Sequence, residues 1–427
     1  MIESPVAERV STQMAVRARV VYPVSAPPML DGVVVVERGK IKQVSPKPPT
    51  GMPVTDLGDV ALIPGLVNAH THLEFSDRKR RIGKRGISMP DWVRQVVAER
   101  TTPKKKLNAI ASGSTQSLRL GTTSLGDIAT YDPAELTLPP MSPRSVRFQE
   151  IIGFSQARAP SAHAGLVKKL KKAKLEGLPQ LDGAPLVGVS PHAPYTVSPP
   201  LLRQLVSTAT EWNLPVAFHL AESKEELDFL VTGAGGFQQI LEERGMWDPW
   251  AVPRGSVPLD YLRILTRASK ALVVHGNYLE RKELAFLSRH RDAMSLVYCP
   301  RTHVFFGHDP YPLEEALSLG VRVCLGTDGL ASNPDLSVLN EMRVVAARHP
   351  RVPLETILEM GTLASAYALG LGQSVGALQA GRYADMVAVP IPDGVPDAPL
   401  DLLAAILRDT SPPLQTWLGG VPVDMDA

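Results

Sequence analysis

From Pro64 to about Ala366, short apolar runs alternate with longer segments of helical spacing. Repeated βα units around a parallel sheet leave this signature, because a strand covered on both faces is apolar throughout while a surface helix is apolar along one stripe. The runs that read as strands are LIPGLVNAHTH, GTTSLGDI, VRFQEII, PLVGVSPHA, PVAFHLAES, ALVVHGN, SLVYCP and VRVCLGTD. Eight of them predict a (β/α)8 TIM barrel. In most, a polar residue appears only where the apolar run stops. Barrel active sites form at the C-terminal strand ends, so these residues are the first candidates for chemistry.

The flanks read differently. AVRARVVYPV and DGVVVVERGKIKQV have strand character and are separated by a Pro-rich turn region. β-like text returns after Leu371 with SVGALQAGRYADMVAVPI and QTWLGGVPV. The two ends are expected to build one small β-sandwich, giving an N-terminal β part over residues 1–62, a catalytic barrel over 63–366 and a C-terminal β part over 367–427.

Composition removes several function classes. The 427 residues are 44% hydrophobic and 21% charged, which suits a chain that folds along most of its length. Forty-five Lys and Arg against 43 Asp and Glu leave no global field to hold nucleic acid or an anionic membrane. The lysine-rich stretches, Lys104 to Lys106 and LVKKLKKAKLEG, read as solvated helix faces. Cys299 and Cys324 are too few for a disulfide framework and read as inert core thiols. MIESPVAERVSTQ lacks the character of a signal peptide and no apolar run is long enough for a membrane span, so a cytoplasmic location is expected.

His70 and His72 stand two apart at the end of the first strand, so their side chains share a face. An isolated pair at this spacing is weak evidence for a metal, since satisfied core histidines produce it too. The later strand ends strengthen it. His219 closes PVAFHL with Glu222 three residues on, His275 closes ALVVH and Asp328 closes VRVCLGTD. Five His and Asp residues on four strands would meet at one mouth. Three nitrogens and a carboxylate, with one position left for water, suit a catalytic zinc ion, and iron or manganese can use the same set. Such an ion supplies hydroxide near neutral pH. Strand four ends without a lysine, so no bridge for a second ion is expected.

PG-x-V-NAHTH, the strand-end His, His and Asp in order, and the closing GRYADMVAV together resemble the amidohydrolase superfamily over nearly the whole chain. FHLAES, VVHGN and GTDG look like its hydrolytic deaminases of aminated purines and pyrimidines, a branch that includes some triazine dechlorinases. The resemblance implies that His219 is the third metal ligand, Glu222 the proton shuttle and His275 the group that orients the attacking water. It also implies pairing as homodimers. Hydroxide addition at an aromatic C–NH2 carbon requires protonation of the neighbouring ring nitrogen, and Glu222 is placed to carry that proton. Asp328 can pass a second proton to the departing amine.

Substrate contacts are expected from His192 at the end of strand four, from Glu74 by strand parity with the ligands, and from Arg301. For each a structural role competes: a buried core histidine for His192, orientation of a metal ligand for Glu74, and locking of a loop by an acidic neighbour for Arg301. Ser332 and Asn333 are expected to cap the next helix, with lining of the mouth as the alternative. HLEFS followed by MPDWVRQVV resembles deaminases of aminodeoxyfutalosine, an adenine-containing intermediate of a menaquinone pathway. YCPRTHVFFGH departs from the branch, with Arg301 and His303 where many nucleoside deaminases carry a small residue and an asparagine. The expected activity is release of ammonia from an adenine-type substrate, aminodeoxyfutalosine first. The alternatives are attack on a triazine-like C–Cl bond or a cyclic amide, and, from another class, a non-catalytic binding barrel.

Overall fold

The computed structural model describes residues 13–99, 102–131, 136, 138–175 and 177–425. The N-terminal reading of residues 1–12 as lacking a leader lies outside them. Eight parallel strands form the barrel wall: Leu66–Thr71, Thr122–Ala129, Arg144–Ile151, Val187–Pro191, Val216–Leu220, Ala271–His275, Met294–Tyr298 and Val323–Leu325. All eight apolar runs are therefore strands. The first and last meet through Thr327 and Asp328, whose N–H groups both donate to the His70 carbonyl at 3.1 Å. Asn68 reinforces this seam, donating to the Thr327 hydroxyl at 2.7 Å and accepting from the Thr327 N–H at 3.1 Å. Two of the expected ligand positions thus lie on the seam.

The chain ends build two further sheets. One has four strands in the order Lys40–Ser45, Val33–Glu37, Met14–Arg17 and Thr55–Asp56. The other has six, interleaving Val60–Pro64, Val20–Val21 and Met29–Leu30 with Met386–Pro390, Gln415–Leu418 and Val421–Pro422. The six-stranded sheet is covered on both faces. Val60, Leu62, Met386 and Ala388 pack with Val16, Val34 and Val36 of the four-stranded sheet. Ala61, Ile63, Val387 and Val389 join the main core with Leu402, Leu403, Ile406 and Leu407. This explains why VALIP and MVAVP are apolar throughout instead of alternating.

Those four residues lie on helix Pro399–Arg408, which corrects the reading of the C-terminal flank as β alone. Their i, i+1, i+4, i+5 spacing is a helical stripe inside strand-like text. Gly65 passes the chain from the small domain into the barrel, and a Cβ there would run into the Thr123 side chain. Cys299 and Cys324 are buried thiols. Among the described residues, no helix is long and apolar enough to cross a membrane.

Candidate active site

The barrel brings ligand atoms of His70, His72 and His219 within 4.8 Å of one another. Asp328 Oδ1 approaches Nε2 of both His70 and His72 at 3.7 Å. That separation is too long for a hydrogen bond and suits donors arranged around an ion. Neither nitrogen of the buried His70 has a hydrogen-bond partner, an orphaned group that a cation would satisfy. Burial lowers the His70 imidazole to about 4, and burial likewise holds His219 well below the ordinary histidine range. Neutral imidazoles present lone pairs, the form a divalent ion needs.

Neighbours fix the orientation of these groups. His219 Nδ1 lies 2.9 Å from the His192 carbonyl, which makes Nδ1 the donor and leaves Nε2 as the ligand atom. Asp328 Oδ2 accepts from the Ser332 hydroxyl at 2.8 Å, and the Thr71 hydroxyl donates to the Asp328 carbonyl at 2.8 Å. Ser332 is therefore not a helix cap. Ser337 caps the following helix, while Asn333 donates to the Thr327 carbonyl at 2.6 Å and to Glu341 at 2.7 Å.

Glu222 Oε1 stands 3.4 Å from His275 Nε2. Burial, then the nearby negative charges of Asp328 and Glu226, raise the Glu222 carboxyl well above the ordinary range. Burial lowers His275 to about 3. Ala221, His275 and Asp328 all adopt positive φ, at 53°, 68° and 55°. Left-handed backbone outside glycine is strained and persists only where surrounding structure enforces it. Here it turns the chain at three strand ends and directs polar side chains inward.

A cavity of about 590 Å³ opens above this floor, and His72, Glu74, His192, His219, Glu222, His275 and Asp328 all line it. Glu74 reaches it from the short turn Leu73–Phe75, not from a strand, since the strand stops at Thr71. Its carboxylate pairs with Lys106 at 2.5 Å and accepts from the Thr130 hydroxyl. Lys106 thus departs from the solvated-face reading of its stretch. Helix Met89–Ala98 contributes Trp92, Val93 and Val96 to the lining, and helix Gly236–Glu243, packed against it, contributes Phe237 and Ile240, with Leu241 beside them. Arg94 ties it to Glu243 at 3.0 Å.

Arg301 is placed elsewhere, which corrects its reading as a substrate contact. Its guanidinium makes a bidentate pair with Asp335 at 2.7 and 2.8 Å, its backbone N–H donates to Glu341 at 2.9 Å, and it is absent from the cavity lining. The loop-locking alternative is what the geometry contains. His303 is also remote from the lining, buried against Tyr298 and Tyr311. Sequence reading missed Lys106, Thr130 and the Ser332 contact. Nothing local marks the first two, whereas the Asp-x-x-x-Ser spacing after strand eight hinted at the third.

Residues 61–423 match the model of the amidohydrolase family. A 5-methylthioadenosine/S-adenosylhomocysteine deaminase from Pyrococcus furiosus is 30% identical over 377 residues, covering 83% of this chain and 81% of the relative. An aminodeoxyfutalosine deaminase from Nitratiruptor sp. is 25% identical over 368 residues, covering 84% and 86%. The crystal structure of Helicobacter pylori aminofutalosine deaminase in complex with methylthio-coformycin superposes with a TM-score of 0.80 at 22% identity, over 96% of this chain and 100% of that one. With the match spanning the whole barrel and the C-terminal strands that follow it, this chain belongs to the amidohydrolase family.

Proposed function

We propose that this hydrolase is a one-metal deaminase that removes the exocyclic amine of an adenine-type nucleoside, with aminodeoxyfutalosine the favoured substrate. The observation that carries the reading is a buried Glu222 with a raised carboxyl beside three grouped histidines and Asp328. His70, His72, His219 and Asp328 would hold the ion, zinc first and iron or manganese as alternatives. Bound there, it would lower the pKa of water and supply hydroxide near neutral pH.

The chain's own groups do the rest. His275, neutral at pH 7, accepts a hydrogen bond from the attacking water and aims it at the C–NH2 carbon. Glu222 takes a proton from that water and delivers it to the adjacent ring nitrogen, so no charge builds on the ring as aromaticity is lost. Asp328 takes the remaining proton from the oxygen that has added to the ring carbon and hands it to the amine, so that ammonia departs and a carbonyl remains. His192 lies in the wall beside His219, where a heterocycle would rest. Glu74, held by Lys106 and Thr130 in the cavity lining, would accept from ribose hydroxyls.

The mouth narrows the substrate. Arg158, Lys169 and Arg244 line it and are exposed, and among the described residues none of the three is in an ion pair. With the apolar side chains of Trp92 and Ile240 in the same lining, they favour an adenine nucleoside bearing an extended anionic substituent over the neutral 5′-methylthioadenosine. Attack on a triazine-like C–Cl bond or a cyclic amide stands second, because such reactions leave the Glu222 proton relay less needed. Ammonia release should be measured with adenosine, guanine, cytosine, 5′-methylthioadenosine and aminodeoxyfutalosine. The reading expects the fastest turnover with the last, and no ammonia from any of the five would transfer support to the second reading.

A further inference from the structure

Glu226 is fully buried on the helix that follows the fifth barrel strand and takes no part in the chemistry above. Its two carboxylate oxygens accept from consecutive backbone N–H groups, Ala221 at 2.7 Å and Glu222 at 3.1 Å. Consecutive N–H groups around a left-handed residue form a concavity suited to an anion, and Ala221 has φ of 53°. The chain fills that concavity with its own carboxylate. Capping does not require this arrangement. Ser223 already caps the helix by accepting from the Glu226 N–H at 3.2 Å, and a capping box would send the Glu226 side chain to the Ser223 N–H. It reaches back further instead, to the turn that carries Glu222.

The carbonyl side of the same turn is held from the next strand. Asn277 Nδ2 donates to the Glu222 carbonyl at 2.8 Å and the Tyr278 N–H donates to the Ala221 carbonyl at 3.1 Å. We propose that Glu226 is the positioning residue for Glu222: its carboxylate holds the strained Ala221–Glu222 turn in the one conformation that sets Glu222 Oε1 beside His275. Glutamine cannot replace it, because its amide nitrogen would face a backbone N–H, donor against donor. This inference rests on Glu222 being the proton carrier.

The test is a double-mutant cycle on the metal-loaded enzyme, with kcat, KM and metal content measured for Glu222→Gln, Glu226→Gln and the pair. The substrate is the fastest of the five compounds above. Glu222→Gln alone should lose about 10²–10⁴ in kcat. Glu226→Gln should lose about 10–100-fold in kcat with KM and metal content near wild type, the scale of a misplaced reacting group. The pair should be no slower than Glu222→Gln alone, because a shuttle already removed cannot be misplaced. Full multiplication of the two losses, or normal kcat in Glu226→Gln, would overturn the proposal. Normal turnover in Glu222→Gln would instead remove the reading beneath it.

If Glu226→Gln does not fold, Glu226→Asp keeps the charge and shortens the reach by one methylene, and the same cycle applies. Hydrogen exchange supplies a readout that needs no substrate. The Ala221 and Glu222 amides should exchange slowly in wild type and quickly in either Glu226 variant. Unchanged protection would show that the carboxylate does not hold the turn.

Discussion

At the floor of the cavity, His70, His219, His275 and Asp328 stand at strand ends, and backbone groups or buried hydroxyls restrain their neighbourhood. At the mouth the lining comes from helices Met89–Ala98 and Gly236–Glu243, and Arg158, Lys169 and Arg244 extend into solvent. The floor is buried, neutral at His70, His219 and His275, and clamped by the closing seam of the barrel. The helical part of the lining combines apolar side chains with the exposed Arg158, Lys169 and Arg244, and carboxylates such as Asp77 share it. In the proposed reading, reaction chemistry thus sits where atoms are held most tightly, and substrate choice sits where side chains can change without moving a strand.

Substitution at the floor should give the largest effect. His70→Ala removes a proposed ligand whose ring nitrogens have no hydrogen-bond partner among the described residues, so elemental analysis should find less than stoichiometric metal and turnover should fall to background. Full metal content with normal turnover would show that the histidine cluster is structural. Substitution at the mouth should act on binding alone. Arg158→Ala and Arg244→Ala should each raise KM for an anionic substrate by about tenfold, the scale of one charge-assisted hydrogen bond, and leave kcat and metal content unchanged. Steady-state kinetics with 5′-methylthioadenosine as the neutral control would break the comparison if both substrates suffered alike.

The smallest effect concerns a buried support between the two regions. Asp127 accepts from the Leu73 N–H at 3.0 Å and the Tyr131 hydroxyl at 2.8 Å, holding the turn that carries Glu74. Burial pushes its carboxyl up to about 7. A folded-state value raised above the unfolded one contributes stability below about pH 4 and loses it as pH rises through about 7. Asp127→Asn keeps the bond from the Leu73 N–H at its carbonyl oxygen and reverses the other, its amide nitrogen donating to the Tyr131 hydroxyl oxygen, so both contacts survive without the charge. Its Tm should exceed that of wild type by a few degrees at pH 8 and match it at pH 4. A uniform loss at both values would mean that the charge itself supports the turn.

Much of the floor was legible before any coordinates. An apolar run ending in one polar residue is a local pattern, and barrel geometry alone sends every such residue to the same mouth. His70, His72, His219, His275 and Asp328 are found this way. The HLEFS and MPDW segments likewise bring Glu74 and Trp92 to the cavity. The sandwich strands were readable for the same reason, although the helix over Pro399–Arg408 was hidden in apolar text common to buried strands and helices.

What the tertiary structure alone decided is pairing. Arg301 had an anionic substrate and an acidic neighbour as competing partners, and only the fold put Asp335 at 2.7 Å. Lys106 belonged to a lysine run that reads as solvated, yet its helix lays it against Glu74. Glu226 carries no mark in the sequence, yet it closes on the turn before its own helix. Periodicity records which face of an element is buried, because burial repeats with the backbone. The partner of a charged side chain depends on how separate elements pack, and no local repeat encodes that choice.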